Sequence, residues 1–144
     1  MPAVDFLPLL PASVTAIGVC VAAHQLRINR RHAVTTFEDS VTAQYRQIAS
    51  SLPLKALLGE PLTNGEHKVH LKFFYRYFDL CNEQAFLHQG GRMSESTWAF
   101  WKDGIVGNLR RPAFEKAWQE IAGRANDDFS ELKKLCSVKA RAVD

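Results

Sequence analysis

The most informative apolar pattern lies between His67 and Gln89, in the segment HKVHLKFFYRYFDLCNEQAFLHQ. At about 100° per residue, its apolar side chains fall into two opposed sectors of a helix. One sector contains Leu71, Phe74, Tyr75, Phe78 and Ala85, and the other contains Phe73, Tyr77, Leu80 and Leu87. The remaining polar stripe is narrow and contains Lys72, Arg76, Asp79 and Glu83. A helix with two apolar sectors must be covered on both sides, so this segment is predicted to be the central helix of a small bundle.

The segment before the central helix also has the helical period. Its apolar stripe consists of Val34, Phe37, Val41, Tyr45, Ile48 and Leu52. No Gly or Pro interrupts the chain from Ala33 to Leu52, so one continuous amphipathic helix is predicted to cover one sector of the central helix. Pro53, Gly59, Pro61 and Asn64-Gly65 then indicate a loop with at most one helical turn, at Leu54 to Leu58.

Three further helices are predicted after the central one. Gly90-Gly91 is typical of a helix C-cap, and Ser94 is a good N-cap for a helix whose buried stripe is Trp98, Trp101, Ile105 and Leu109. Pro112 suits the first turn of a helix that extends to about Ala122, and a last helix begins near Asn126 to Asp128. We therefore predict an all-α fold, with a bundle of about four to five helices.

The N-terminal segment carries the strongest single signal in the chain. Phe6 to Leu26 is a run of 21 residues without Asp, Glu, Lys or Arg. As a helix, it would span roughly 30 Å, which is the thickness of the hydrocarbon core of a bilayer. Arg27, Arg30 and Arg31 follow at once, so the positive-inside rule places the N-terminus outside and the body in the cytoplasm. We predict a single transmembrane helix of the bacterial inner membrane, with an anchor and basic flank over residues 1–32 and a helical cytoplasmic domain over residues 33–144.

Two other interpretations of this segment stay open at the level of the sequence. A cleaved signal peptide would have a positively charged start, which is missing here, although Val21-Ala22-Ala23 resembles a cleavage site. The segment would instead be a buried or interfacial helix of a soluble protein, which would account for the presence of the polar residues Ser13, Thr15, His24 and Gln25.

Composition and charge argue against a nucleic-acid partner. The chain has 144 residues, 47 % of them hydrophobic, and a formal charge of +3. Three of the 18 basic residues and one of the 15 acidic residues precede Ala33, so the remainder carries 15 basic and 14 acidic residues, a net charge of +1. Nucleic-acid binders usually carry a large positive excess on one face, and this body is almost neutral.

No arrangement of polar residues indicates a catalytic or metal centre, so we expect neither an enzyme nor a cofactor. Cys20, Cys81 and Cys136 have no metal-binding spacing and suit reduced thiols. Glu66, His67 and His70 are too few ligands for a strong metal signal. Asp79 and Glu83 are four residues apart, a spacing that would suit acid–base chemistry or a divalent ion. An ion pair between Arg76 and Asp79 on a solvated face is the simpler account.

Aromatic residues are concentrated in the middle of the chain. Nine of the fifteen Phe, Tyr and Trp residues lie between Phe73 and Trp101. Core packing explains most of them, and a partner interface or a small-ligand pocket would use the others. The candidate interaction or pocket residues are Phe74, Tyr77, Phe78, Asp79, Glu83, Trp98 and Trp101.

The run FFYRYFDLCNEQAFLHQGGRMSESTWAFWKDGI, followed by NLRRPAFEKAWQEI, resembles a group of short bacterial proteins without an assigned function. The similarity covers roughly Leu71 to Ile121 and is carried by Asp79, Glu83, Gly90, Trp98, Trp101, Pro112, Phe114 and Trp118. It implies one N-terminal membrane helix followed by a helical cytoplasmic domain, and it implies no activity.

These observations predict a membrane-anchored helical interaction module, an accessory or scaffolding subunit of a bacterial membrane assembly. Its expected partners are the lipid bilayer and either a membrane protein or a second copy of the chain. The alternative is a membrane-tethered sensor or small-ligand-binding domain with a pocket among Phe74, Tyr77, Phe78, Trp98 and Trp101.

Overall fold

The computed structural model describes residues 9–125 and 127–140, and the described residues form six helices and no strand. The helices are α1 (Leu9–Ala49), α2 (Leu54–Leu57), α3 (Asn64–Gln89), α4 (Glu95–Leu109), α5 (Pro112–Arg124) and α6 (Ser130–Ala140). The predicted all-α class is confirmed. The chain divides into two compact units between Phe37 and Glu38, and α1 contributes residues to both.

The first unit is the N-terminal part of α1. Its described side chains up to Ala33 are exposed, including the apolar residues Ile17, Val19, Val21 and Leu26 and the basic residues Arg27, Arg30 and Arg31. Across residues 9–125 and 127–140, no helix is both long enough and apolar enough to cross a membrane. Residues 6–8 of the predicted span, and the side chains of residues 9–14 and 16, lie outside the described part of the chain. The transmembrane assignment therefore stays a prediction.

The second unit is built around α3. This helix packs against α4, α5 and α6, as its two apolar sectors predict. Phe74 and Phe78 are fully buried, with Phe74 packed edge-on against Phe114 and Phe78 packed against Trp118. The predicted polar stripe, Lys72, Arg76, Asp79 and Glu83, is exposed.

Helix α3 begins three residues earlier than the sequence pattern predicts. Asn64-Gly65 is the first turn of the helix rather than part of the preceding loop. Thr63 is the N-cap, and its hydroxyl accepts a hydrogen bond from the Glu66 N–H at 3.3 Å. The Glu66 carboxylate in turn accepts one from the Thr63 N–H at 2.9 Å. This capping box stabilises a helix start at a dipeptide that more often forms a turn.

The start of α6 also differs from the prediction. The helix begins at Ser130, not between Asn126 and Asp128, and Asn126 itself lies outside the described residues. Phe129 has a φ of +61°, a left-handed backbone conformation that a right-handed helix cannot include. The Asn82 side chain then accepts hydrogen bonds from the N–H groups of Glu131 and Leu132, both at 3.0 Å. These contacts fix the first turn of α6 against α3.

Candidate ligand-binding cleft

The second unit contains an open cleft of about 660 Å³ between the C-terminal part of α1 and helix α4. Three groups of residues line it. Helix α1 contributes Glu38, Asp39, Thr42, Tyr45 and Arg46, helix α3 contributes Tyr77, and helix α4 contributes Ser96, Thr97, Phe100, Trp101, Asp103, Gly104, Ile105 and Asn108. The volume lies within the range of about 300 to 1,000 Å³ that is usual for small-molecule sites.

Aromatic rings form the apolar part of the cleft. The rings of Tyr45 and Trp101 meet edge to face, with centroids 5.2 Å apart and an interplanar angle of 80°. Tyr77 lies 6.3 Å from Tyr45, and Phe100 lies 6.5 Å from Trp101. Phe100 is 79 % exposed, which is unusual for so large an apolar side chain. The cleft therefore has a packed aromatic base and one uncovered phenyl ring.

A buried hydrogen bond fixes the base of the cleft. Asn108 Nδ2 donates to the Tyr77 hydroxyl at 2.8 Å, and both side chains are buried. Burial raises the pKa of Tyr77 well above its ordinary value, so the phenol is neutral at physiological pH. Burial also raises the pKa of the neighbouring Cys81 thiol to about 12. Cys81 is consequently a buried thiol that stays protonated at neutral pH.

The carboxylate of Glu38 holds the N-terminus of α4 at one end of the cleft. Glu38 Oε1 accepts hydrogen bonds from the Ser94 N–H at 3.1 Å and from the Ser94 hydroxyl at 2.8 Å. Ser94 is also the N-cap of α4, because its Oγ accepts a bond from the Thr97 N–H at 3.3 Å. Partial burial raises the pKa of Glu38, but the bonds from Ser94 and Thr97 outweigh that effect, and the pKa is lowered.

The structure brings only two of the predicted site residues together in this cleft, Tyr77 and Trp101. Phe74 and Phe78 belong to the packed core instead. Trp98 is half-buried and stacks on His88, with ring centroids 4.7 Å apart. Asp79 and Glu83 are exposed on α3, and neither lines the cleft. The five ion pairs among the described residues do not include the predicted pair of Arg76 and Asp79.

The possible metal ligands near the start of α3 have separate partners. Glu66 belongs to the capping box and forms an ion pair with Lys55 at 3.0 Å. His67 Nε2 lies 2.8 Å from Glu120 Oε2, and His70 Nδ1 lies 2.8 Å from the Glu66 carbonyl oxygen. In the described part of the chain, no three His, Cys, Asp or Glu residues are grouped as a metal site would require.

Several cleft residues are absent from the sequence-based set, and each had a weak signal. Tyr45 lies on the apolar stripe of α1, which the helical period predicts to face the bundle. Asn108 is a polar residue three positions after the buried Ile105, on the side of α4 that faces the core. Phe100 lies one residue outside the predicted buried stripe of α4. That stripe itself is only partly buried, since Ile105 is covered and Trp98, Trp101 and Leu109 are half-exposed.

A second open cleft, of about 580 Å³, lies between α3 and α5. Its charged lining residues have both signs, with Lys68, Lys72 and Arg124 beside Glu120 and Asp128. Glu120 is paired with His67 and with Arg124, at 2.8 and 2.9 Å. This cleft therefore has little excess charge and only one aromatic lining residue, Tyr75.

The chain has no significant match among protein-family models, curated proteins or solved structures. The resemblance drawn from residues 71–121 accordingly stays a prediction.

Proposed function

We propose that this protein is a membrane-anchored helical interaction module, whose second unit contacts a protein partner through the exposed face of α4. The observation that carries the proposal is the 79 % exposure of Phe100 beside an aromatic cleft. Exposed aromatic side chains next to an indentation are typical of the residues that contribute most to protein interfaces. Gly104 and Gly107 lie on the same helix, and nothing lies within 4 Å of a Cβ built at either residue. A partner can therefore approach the backbone of α4 closely.

The proposed anchor is the segment from Phe6 to Leu26. Ile17 and Val19 are 64 % and 63 % exposed although they point to different sides of α1, as residues two apart in a helix do. A helix with apolar side chains on several sides requires an apolar environment around it. Arg27, Arg30 and Arg31 follow as an exposed basic group, which suits the headgroups on the cytoplasmic side of a bilayer.

Affinity purification in mild detergent tests the interaction function. The full-length chain and its Phe100→Ser variant are purified from native membranes, and the proteins that remain at stoichiometric level are compared. We expect a constant partner for the wild type and loss of that partner in the variant. Phe86→Ser is the matched control, because Phe86 is a similarly exposed phenylalanine on α3. A monomer without a partner in all three preparations would contradict the proposed function.

A second candidate function is a sensor or small-ligand-binding domain. The observation in its favour is the cleft of about 660 Å³, which Tyr77 and Trp101 line together with Tyr45. Ligand sites are usually concave and largely apolar, with a few polar groups that fix the orientation of the ligand. The cleft has this composition, and binding of a small molecule would be read out directly on the indole of Trp101.

A further inference from the structure

The charges of the α1–α4 cleft are strongly unequal. Three carboxylates line it, Glu38 and Asp39 on the α1 wall and Asp103 on the α4 wall, against one basic residue, Arg46. Glu38 keeps its charge while it accepts two hydrogen bonds from Ser94. Neither Asp39 nor Asp103 belongs to an ion pair among the described residues. With three carboxylates and one guanidinium, the two walls of the cleft therefore carry a net charge of −2.

The aromatic residues of the cleft add a second attraction for positive charge. The faces of Trp and Tyr rings carry negative electrostatic potential and attract ammonium groups within about 6 Å of the ring centroid. Tyr45 and Trp101 stand nearly at right angles, at 80°, so they enclose a corner instead of stacking on each other. Phe100 adds a third ring near the surface, and the buried Tyr77 packs beneath Tyr45. A cleft lined by both aromatic rings and carboxylates is a suitable environment for an organic cation.

We propose that the α1–α4 cleft binds a small organic cation with an alkylammonium group, held between Asp39 and Asp103 and against the rings of Tyr45 and Trp101. The inference rests on the second candidate function and names its ligand class. Charge complementarity selects this occupant, because the three carboxylates of the cleft repel an anion and give a neutral ligand no charge–charge attraction. The α3–α5 cleft, with charges of both signs and one aromatic residue, offers no such selection.

Two probes that differ only in charge provide the test. Choline and its uncharged isostere 3,3-dimethylbutan-1-ol are titrated into the full-length chain in an uncharged detergent, and the indole N–H signals of the three tryptophans are followed by NMR. We expect a saturable shift of the Trp101 signal with choline and an affinity for the isostere that is lower by about fivefold or more. Trp118 packs against Phe78 and Phe129 away from the cleft, so its signal should not move.

Charge variants identify the groups responsible. Asp103→Asn and Asp39→Asn should each weaken choline binding by about threefold to tenfold, because each removes one attractive charge. Arg46→Gln should strengthen it, since the only repelling charge of the cleft is lost, and a damaged fold cannot produce that gain. Glu83→Gln, an exposed carboxylate outside the cleft, is the matched control and should have no effect.

The proposal is overturned if choline and the isostere bind equally, or if choline gives no saturable shift of the Trp101 signal. It is also overturned if Arg46→Gln and Asp103→Asn change choline binding in the same direction. The wild-type protein could retain a partner that the Phe100→Ser variant loses and yet not bind choline. That result would identify the cleft as part of a protein interface. The interaction function would then stand without the cation site, so the two failures are distinguishable.

Discussion

Glu38 and Ser94 are 56 residues apart in the sequence, and a contact between them joins helix α1 to the start of helix α4. Glu38 Oε1 accepts hydrogen bonds from the Ser94 N–H and hydroxyl at 3.1 and 2.8 Å, and Ser94 in turn caps α4. The carboxylate also lies at the N-terminus of α4, where the helix dipole favours negative charge. This one contact therefore fixes the α4 wall of the cleft to α1.

We expect Glu38→Gln to lower the free energy of unfolding by about 1 kcal/mol, because a neutral amide accepts weaker hydrogen bonds from Ser94. The pKa of Glu38 is lowered below its ordinary value of 4.5 in the folded protein. The charge of Glu38 therefore contributes fully to the free energy of unfolding above pH 4.5. This contribution is lost as the pH falls through the lower pKa that Glu38 has in the folded protein. Urea unfolding at pH 7 and at a series of pH values below 4.5 should show a stability difference between the two proteins that is largest at pH 7 and shrinks as the pH falls. The matched control is Asp39→Asn, at an exposed neighbour, and an equal loss in both variants would contradict the role of the contact.

Tyr77→Phe tests the hydrogen bond at the base of the cleft. Removal of the hydroxyl leaves Asn108 Nδ2 buried without its acceptor, which costs about 1 to 3 kcal/mol. Tyr45→Phe is the control, because no hydrogen bond of the Tyr45 hydroxyl occurs among the described residues. In thermal unfolding, the double variant Tyr77→Phe, Asn108→Leu should lose less stability than the sum of the losses of the two single variants. Additive losses would show that the two side chains are not coupled.

The end of α3 depends on one of two adjacent glycines. Gly91 has a φ of +67°, whereas Gly90 has a φ of −74°. The Arg92 N–H donates to the Leu87 carbonyl at 3.0 Å and the Gly91 N–H donates to the His88 carbonyl at 2.9 Å, which is the Schellman pattern. We expect Gly91→Ala to destabilise the protein by about 1 kcal/mol through backbone strain alone, since nothing lies within 4 Å of its Cβ. Gly90→Ala should leave the stability nearly unchanged. If chemical unfolding showed a larger loss for Gly90→Ala than for Gly91→Ala, the role given to Gly91 would be wrong.

The proposed anchor predicts how the protein fractionates. The double substitution Ile17→Lys and Val21→Lys should release the chain from membranes on alkaline carbonate extraction, because each charge costs about 3 kcal/mol near the centre of a bilayer. Two lysines at the exposed positions Thr36 and Gln47 are the control and should leave the fractionation unchanged. If alkaline carbonate extracted the wild-type protein from membranes, the membrane anchor would be contradicted. The proposed interaction surface on α4 could still be tested separately.

The periodicity of the chain predicted the elements better than their boundaries. The two apolar sectors of α3 required cover on both sides, and the helix is central for that reason. The Ser94 N-cap was predicted and is observed, because a cap depends on neighbouring residues alone. The start of α3 at Asn64 was not predicted, since the Thr63–Glu66 capping box overrides the turn preference of Asn64-Gly65. The late start of α6 follows from the positive φ of Phe129, which no local pattern signals.

By itself, the sequence determined the helical class, the central place of α3 and the apolar N-terminal segment, because these follow from composition and period along one chain. The tertiary structure decided which aromatic residues are core and which are accessible. Phe100 and Trp101 are adjacent on α4, yet Phe100 is 79 % exposed while Trp101 is half-buried and packs against Tyr45. That difference depends on where α1 and α4 separate, and their separation depends on contacts between residues far apart in sequence. For the same physical reason, the carboxylates of Asp39 and Asp103 come to line one cleft only in the folded protein.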